Sequence, residues 1–206
     1  MCRAYWQPIC AFARRKGWNE QDAKDLTQQF FAHLLARKDF AGLDPRKGKF
    51  RTFLLAAFTH FLANARDYAN ALKRGGGKVI PLEDLASGEA AELAAPEEAA
   101  PATLYDLHWA KTILACALRQ LRAETLAAGK QSQFDALKRF LTASGGSADY
   151  AAAAGLLGVQ PGSVPVLVHR LRQRYRALVR EEVAQTVCSP TDLQEEMRHL
   201  FAVLNR

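Results

Sequence analysis

Asp149-Tyr150-Ala151-Ala152-Ala153-Ala154-Gly155-Leu156-Leu157-Gly158-Val159-Gln160-Pro161-Gly162-Ser163-Val164-Pro165-Val166-Leu167-Val168-His169-Arg170-Leu171-Arg172-Gln173-Arg174-Tyr175-Arg176-Ala177-Leu178-Val179-Arg180 decides the fold class. Its first part is a short Ala-rich helix whose small side chains let a second helix approach closely. Gly158 supplies the permissive backbone that a tight turn wants. The second part repeats Val164, Val168, Leu171, Tyr175 and Leu178 at helical spacing and carries Arg170, Arg172, Arg174, Arg176 and Arg180. Together they predict a helix-turn-helix, in which the short helix supports the second in a DNA major groove. Arginines near the start of that helix reach bases or adjacent phosphates, and later ones neutralise the flank. Ser163, Val166 and Arg170 are the groove-facing candidates, with Arg174 beyond them. The competing reading is an amphipathic surface helix with a solvated Arg face. Pro165 is harmless if Ser163 caps the helix, because it then falls near the second helical position.

Working outward, the same period recurs everywhere and no β-branched alternation of useful length appears, so the fold is all-α. A first helix holds Trp6, Ile9, Cys10, Phe12 and Ala13 and stops at Gly17; Asn19 caps a second, with Leu26, Phe30 and Leu34 on one stripe. The opposite face of that second helix carries Asp22, Asp25, Gln28 and Gln29. After a turn-rich segment, Asp39 to Gly48, a third helix runs from near Phe50 to about Leu72, burying Leu54, Phe58, Phe61 and Leu62. Beyond the middle of the chain, His108 to about Leu126 reads as a helix, and Phe134, Leu137, Phe140 and Leu141 mark the next. The domains are therefore 1–78, a linker at 79–106, 107–187 with the helix-turn-helix, and a tail at 188–206. Ser189 or Thr191 caps a tail helix whose stripe, Leu193, Met197, Leu200, Phe201 and Leu204, packs back on a domain.

The net charge of +7 and pI near 9.4 indicate an anionic partner. Val79 to Leu107 contains no Lys or Arg but has Glu83, Asp84, Glu89, Glu92, Glu97, Glu98 and Asp106; removing that −7 leaves +14 on the remainder. Two basic bodies are thus joined by an acidic strap, broken by Pro81, Pro96 and Pro101. With 49% hydrophobic residues the chain can bury a core, which excludes disorder. No run reaches the length of a membrane span and Met1 to Trp6 lacks a signal-peptide core, so a cytoplasmic location is expected. Cys2, Cys10, Cys116 and Cys188 form no CxxC pair, the five histidines lie far apart, and no HExxH, GxSxG or phosphate-loop pattern occurs. Neither an enzyme nor a metal or cofactor is expected.

The segment Tyr150-Ala-x-x-Ala154-x-x-Leu157-Gly158-Val159-x-Pro-Gly162-x-Val164-x-Val-x-Val-His169-Arg170-Leu171-Arg172 resembles the C-terminal region-4 helix-turn-helix of extracytoplasmic-function sigma factors. Asp22-Ala23-Lys24-Asp25-Leu26-Thr27-Gln28-Gln29-Phe30-Phe31 resembles the family's region 2.2, and Gly48-Lys-Phe50-Arg51-Thr-Phe53-Leu54-Leu55-Ala56 its region 2.3. The resemblance implies a bacterial factor that binds core RNA polymerase, through its β′ clamp helices and β flap, and directs it to promoter DNA. Asp22, Asp25, Gln28 and Gln29 match the clamp-binding face, where carboxylates meet a basic coiled coil. Lys49, Arg51, Asn64, Arg66, Lys73 and Arg74 would hold the opened minus-ten strand, Asn64 at a base edge. Phe50 and Phe53 fit the core better than a stacking platform, and the loop Asp39 to Gly48 would shape a pocket for a flipped base.

In the same reading the acidic strap occupies the path of the transcript, against the plainer reading of a solvated spacer. Lys24 departs from an often acidic position. Thr27 is read as an ordinary surface threonine or as the target of a serine/threonine kinase, whose phosphate would add roughly −1.5 to −2 charge. An anti-sigma factor is a further implied partner. The first helix starts almost at Met1, where family members carry more residues; a truncated or misassigned start would account for that. A helix-turn-helix regulator acting without polymerase is the alternative, but it leaves the Asp22 to Phe31 segment and the strap unexplained.

Overall fold

Asn19 starts the second helix as its sequence position predicts. Its side-chain Oδ1 accepts the Asp22 N–H at 2.8 Å and its Nδ2 donates to the Asp22 carboxylate at 2.8 Å, which satisfies a terminal donor and fixes the first turn. The computed structural model describes residues 2–36, 50–73, 99–143, 145–187 and 189–205, and among them there is no strand. The helices are α1 (Cys2–Arg15), α2 (Glu20–Ala36), α3 (Phe50–Lys73), α4 (Ala99–Ala127), α5 (Gln131–Leu137), α6 (Ser147–Leu157), α7 (Val164–Ala184) and α8 (Pro190–Leu204), with short 3₁₀ turns at Lys138–Leu141 and Pro161–Ser163. The all-α reading holds. Among the described residues no single helix is long and apolar enough to cross a membrane.

The chain divides into two compact units, Met1–Thr112 with Thr186–Arg206, and Ile113–Gln185. In the first unit, Ile9 and Phe12 of α1, Phe30 and Leu34 of α2, and Leu54, Phe58 and Phe61 of α3 are buried. Phe30 and Phe58 lie 4.9 Å apart between ring centres, and Phe58 stacks on Phe61 at 6.2 Å. Each such ring contributes roughly 1.5–3 kcal/mol through apolar burial, so this stripe dominates the unit's packing. Phe50 and Phe53 are half-buried, and Phe50 sets its edge against Tyr5 at 5.2 Å, consistent with a packing role.

Two boundaries differ from expectation. Helix α4 begins at Ala99, not near His108, so the last residues of the expected strap are helical. Pro101 read as a breaker, yet it stands at the third position of α4, where the missing N–H has no intrahelical partner to lose. The tail, set apart as 188–206 by sequence, belongs to the first unit. Ser189 caps α8 by accepting the Asp192 N–H at 3.1 Å, and Leu193, Leu200 and Val203 are buried while Phe201 and Leu204 stay exposed. The docked stripe is therefore rotated from the expected one. The strap from Val79 to Glu98 and the loop Asp39 to Gly48 lie outside the described residues.

Candidate nucleic-acid interface

In the second unit α6 and α7 change direction by 103°, within the roughly 90–120° range of a helix-turn-helix. Gly158 closes α6 in the left-handed region at φ +64°, where a Cβ would cost about 1–2 kcal/mol. Leu137, Phe140, Ala153, Ala154, Val164 and Val168 form one buried cluster, so the alanines do admit α7 to close range. Ser163 precedes α7 and Pro165 occupies its second position, as anticipated; the Ser163 hydroxyl makes no capping bond because its backbone is already helical at φ −80°.

Helix geometry then sorts the side chains of α7. Val166, His169, Arg170, Gln173, Arg176 and Arg180 fall within about 120° of the helix circumference, and all six are exposed. The stripe opens with an apolar side chain, continues with polar and cationic side chains able to donate or accept hydrogen bonds, and ends in two cations. His169 and Gln173 were not singled out by sequence, although spacings of three and seven from Val166 would have found them.

The five arginines do not form one face. Arg172 turns inward, its Nε donating to the Phe140 carbonyl at 2.8 Å and its Nη2 to that of Ala143 at 2.9 Å, which fastens α7 to the turn ahead of α6. Arg174, offered as a DNA contact, is held by Glu124 through two hydrogen bonds of 2.8 and 2.7 Å and by Glu181 at 2.9 Å. Its neighbours raise its already high pKa, and its hydrogen bonds hold the Glu124 carboxyl below the usual range. Arg174, a DNA-contact candidate by sequence, is thus exposed and paired with two exposed carboxylates that offset its charge in the free chain. Arg170, Arg176 and Arg180 are exposed and have no ion-pair partner among the described residues. Ser163 and Val166 are exposed where expected.

In the first unit the Arg51 assignment is corrected. It is 7% exposed, forms ion pairs with Asp106 and, at 3.3 Å, with Glu196, and sits 5.3 Å over the Trp109 ring. A guanidinium enclosed by two carboxylates cannot meet a nucleic-acid strand. Nothing local in the sequence signals this, since its partners lie 55 and 145 residues away. Asp106, counted among the strap's acids, is spoken for by the same contact. Arg66 is exposed and donates to the Lys16 carbonyl at 2.6 Å; Asn64 is half-buried beside His60, Nδ2 to Nδ1 3.3 Å. Lys49 and Arg74 lie outside the described residues, and Lys73 closes α3.

On α2, Asp22, Asp25, Gln28 and Gln29 are all exposed and span about 120°, opposite buried Ala23, Phe30, Phe31 and Leu34. Gln21 Nε2 donates to Asp25 at 3.2 Å. Lys24 pairs with Glu20 at 2.8 Å, which lowers the Glu20 pKa and raises that of Lys24, so the cation is answered within its own turn. Thr27 is fully buried and donates to the Ala23 carbonyl at 2.6 Å, which overturns its reading as a surface residue and leaves a kinase no hydroxyl to reach in the folded helix. No group of His, Cys, Asp and Glu among the described residues could hold a metal ion. No family model matches this chain, and neither a curated protein nor a solved structure does.

Proposed function

We propose that this chain is a bacterial alternative sigma factor of the extracytoplasmic-function type, which joins core RNA polymerase and directs promoter recognition, DNA melting and initiation. The observation that carries the reading is the pair α6 and α7, turned by 103° about left-handed Gly158, with an exposed stripe running from Val166 to Arg180. That stripe suits the major groove of a minus-thirty-five element, with Val166, His169, Arg170 and Gln173 toward base edges and Arg176 and Arg180 toward the flanking phosphates.

The α2 face supports a second contact, with a protein. Exposed acids and amides on a rigid helix suit the basic β′ clamp helices, and the Lys24–Glu20 pair removes the objection that Lys24 spoils the negative surface. In this reading Arg66, Asn64 and the cations around α3 hold the opened strand, Arg51 serves the fold, and the chain is a non-enzymatic cytoplasmic factor working with polymerase, promoter DNA and, in its silent state, an anti-sigma partner.

The test is reconstitution of the whole chain with core polymerase on a genomic promoter library. Promoter-dependent RNA that is lost with Arg170→Ala supports the reading. A chain that binds a specific duplex tightly alone and adds nothing to core polymerase is the alternative helix-turn-helix regulator.

A further inference from the structure

Arg174 borders the exposed stripe of α7, one helical turn beyond Arg170 and about 40° round the axis from it. A duplex seated on that stripe has backbone phosphates within the span of so long a side chain. In the free chain the guanidinium is already engaged. Its Nε and Nη2 donate to the two carboxylate oxygens of Glu124 on α4, at 2.8 and 2.7 Å, and its Nη1 donates to Glu181 at 2.9 Å. The Nε and Nη2 edge is the planar fork with which an arginine grips a phosphate in bidentate fashion, so Glu124 stands where a phosphate would.

As a support for the fold this pair does little, because the Arg174 and Glu124 side chains are 43% and 36% exposed and water screens their attraction. Its effect on a third party is larger. A phosphate approaching Arg174 must displace charge-assisted hydrogen bonds or lie against two carboxylates, and either course cancels the gain of the contact. Arg170, Arg176 and Arg180 carry no such carboxylate among the described residues. We infer that Glu124, helped by Glu181, is a decoy phosphate that holds down the affinity of α7 for duplex DNA in the free chain. The inference deepens the reading of α7 as a duplex-binding helix and supplies a reason for its grip to be weak away from polymerase.

The test is a titration of the full chain with a labelled duplex of random sequence, two helical turns long, by fluorescence anisotropy at several salt concentrations. The double variant Glu124→Gln with Glu181→Gln should bind about eightfold tighter at roughly 0.1 M salt, with a salt slope steeper by about 0.9, the release expected of one phosphate contact. Adding Arg174→Gln to that variant should abolish the gain, whereas Arg174→Gln in the parent should leave binding and slope nearly unchanged. Glu182→Gln, which adds the same charge on the side of α7 opposite the stripe, should leave the slope unchanged. If the double variant does not fold, Glu124→Gln alone, which frees the fork, carries the test. No gain in affinity, a gain that survives Arg174→Gln, or an equal steepening with Glu182→Gln overturns the inference. An absent gain alongside intact promoter-dependent RNA from the reconstituted polymerase removes the decoy alone; a gain without such RNA removes the sigma reading alone.

Discussion

Arg51 brings a permanent charge into a site where 7% of its surface meets water, and it is tolerated only because Asp106 and Glu196 enclose it. Removing the cation would leave two carboxylates facing each other in low dielectric. Arg51→Ala should therefore lower stability by about 3–5 kcal/mol in urea unfolding, far more than an exposed arginine would cost. Exposed Arg170→Ala should leave the unfolding midpoint unchanged and weaken specific duplex binding by about 1–3 kcal/mol.

His199 extends the same cluster, with Nε2 3.1 Å from Asp106 Oδ2. An ionised Asp106 only accepts, so Nε2 carries the proton. Despite that carboxylate the His199 pKa is lowered, first by burial and then by Arg51, which has already neutralised Asp106. A folded-state pKa below the unfolded value means the unfolded chain binds more protons. Stability should be full above the ordinary histidine value of 6.5 and fall as pH drops through the depressed one. His108 shifts the same way. Urea midpoints at pH 7.5 and 5.5 should differ in the parent and differ less in His199→Gln.

Among the elements, the helix-turn-helix depends on two glycines for different reasons. Gly158 needs its left-handed backbone, with open space around it, whereas a Cβ at Gly145 would collide with the Phe140 ring and crowd Tyr150. Gly158→Ala should cost about 1 kcal/mol through backbone strain alone. Gly145→Ala should cost about 1–3 kcal/mol by displacing Phe140 from the cluster it shares with Val164 and Val168. Thermal unfolding ranks the two, and equal effects would contradict this distinction. The element is also tied by Arg139, which pairs with Asp149 at 3.0 Å at the start of α6, and by Arg172. Neither tie is local in sequence, so neither was legible before the fold.

For the whole molecule, the proposed reading has the α2 face and the acidic strap both engage a larger partner. Asp25→Ala should weaken core polymerase binding in a titration without moving the unfolding midpoint, because Asp25 is exposed and accepts from exposed Gln21 in the preceding turn. Neutralising Glu83, Asp84, Glu89, Glu92, Glu97 and Glu98 should change the ladder of abortive products. Asp106 is left out of that set, since its charge belongs to Arg51. An unchanged ladder would return the strap to a spacer.

Periodicity by itself determined the helical class, the α1 to α3 apolar stripes, the Asn19 start of α2 and the turn at Gly158, because these rest on the spacing of neighbours along one helix. It also placed the exposed acids and amides of α2, since a face opposite a buried stripe must meet solvent. Tertiary structure alone decided which cations are available. Arg51, Arg172 and Arg174 look like Arg170, Arg176 and Arg180 in sequence, yet the first three are held by carboxylates or carbonyls from distant segments, while the exposed stripe of α7 keeps the other three. The start of α4 at Ala99, the burial of Thr27 and the docking of α8 belong with them. Charge pairing and burial depend on what folds alongside a residue, and a one-dimensional pattern carries no record of that neighbour.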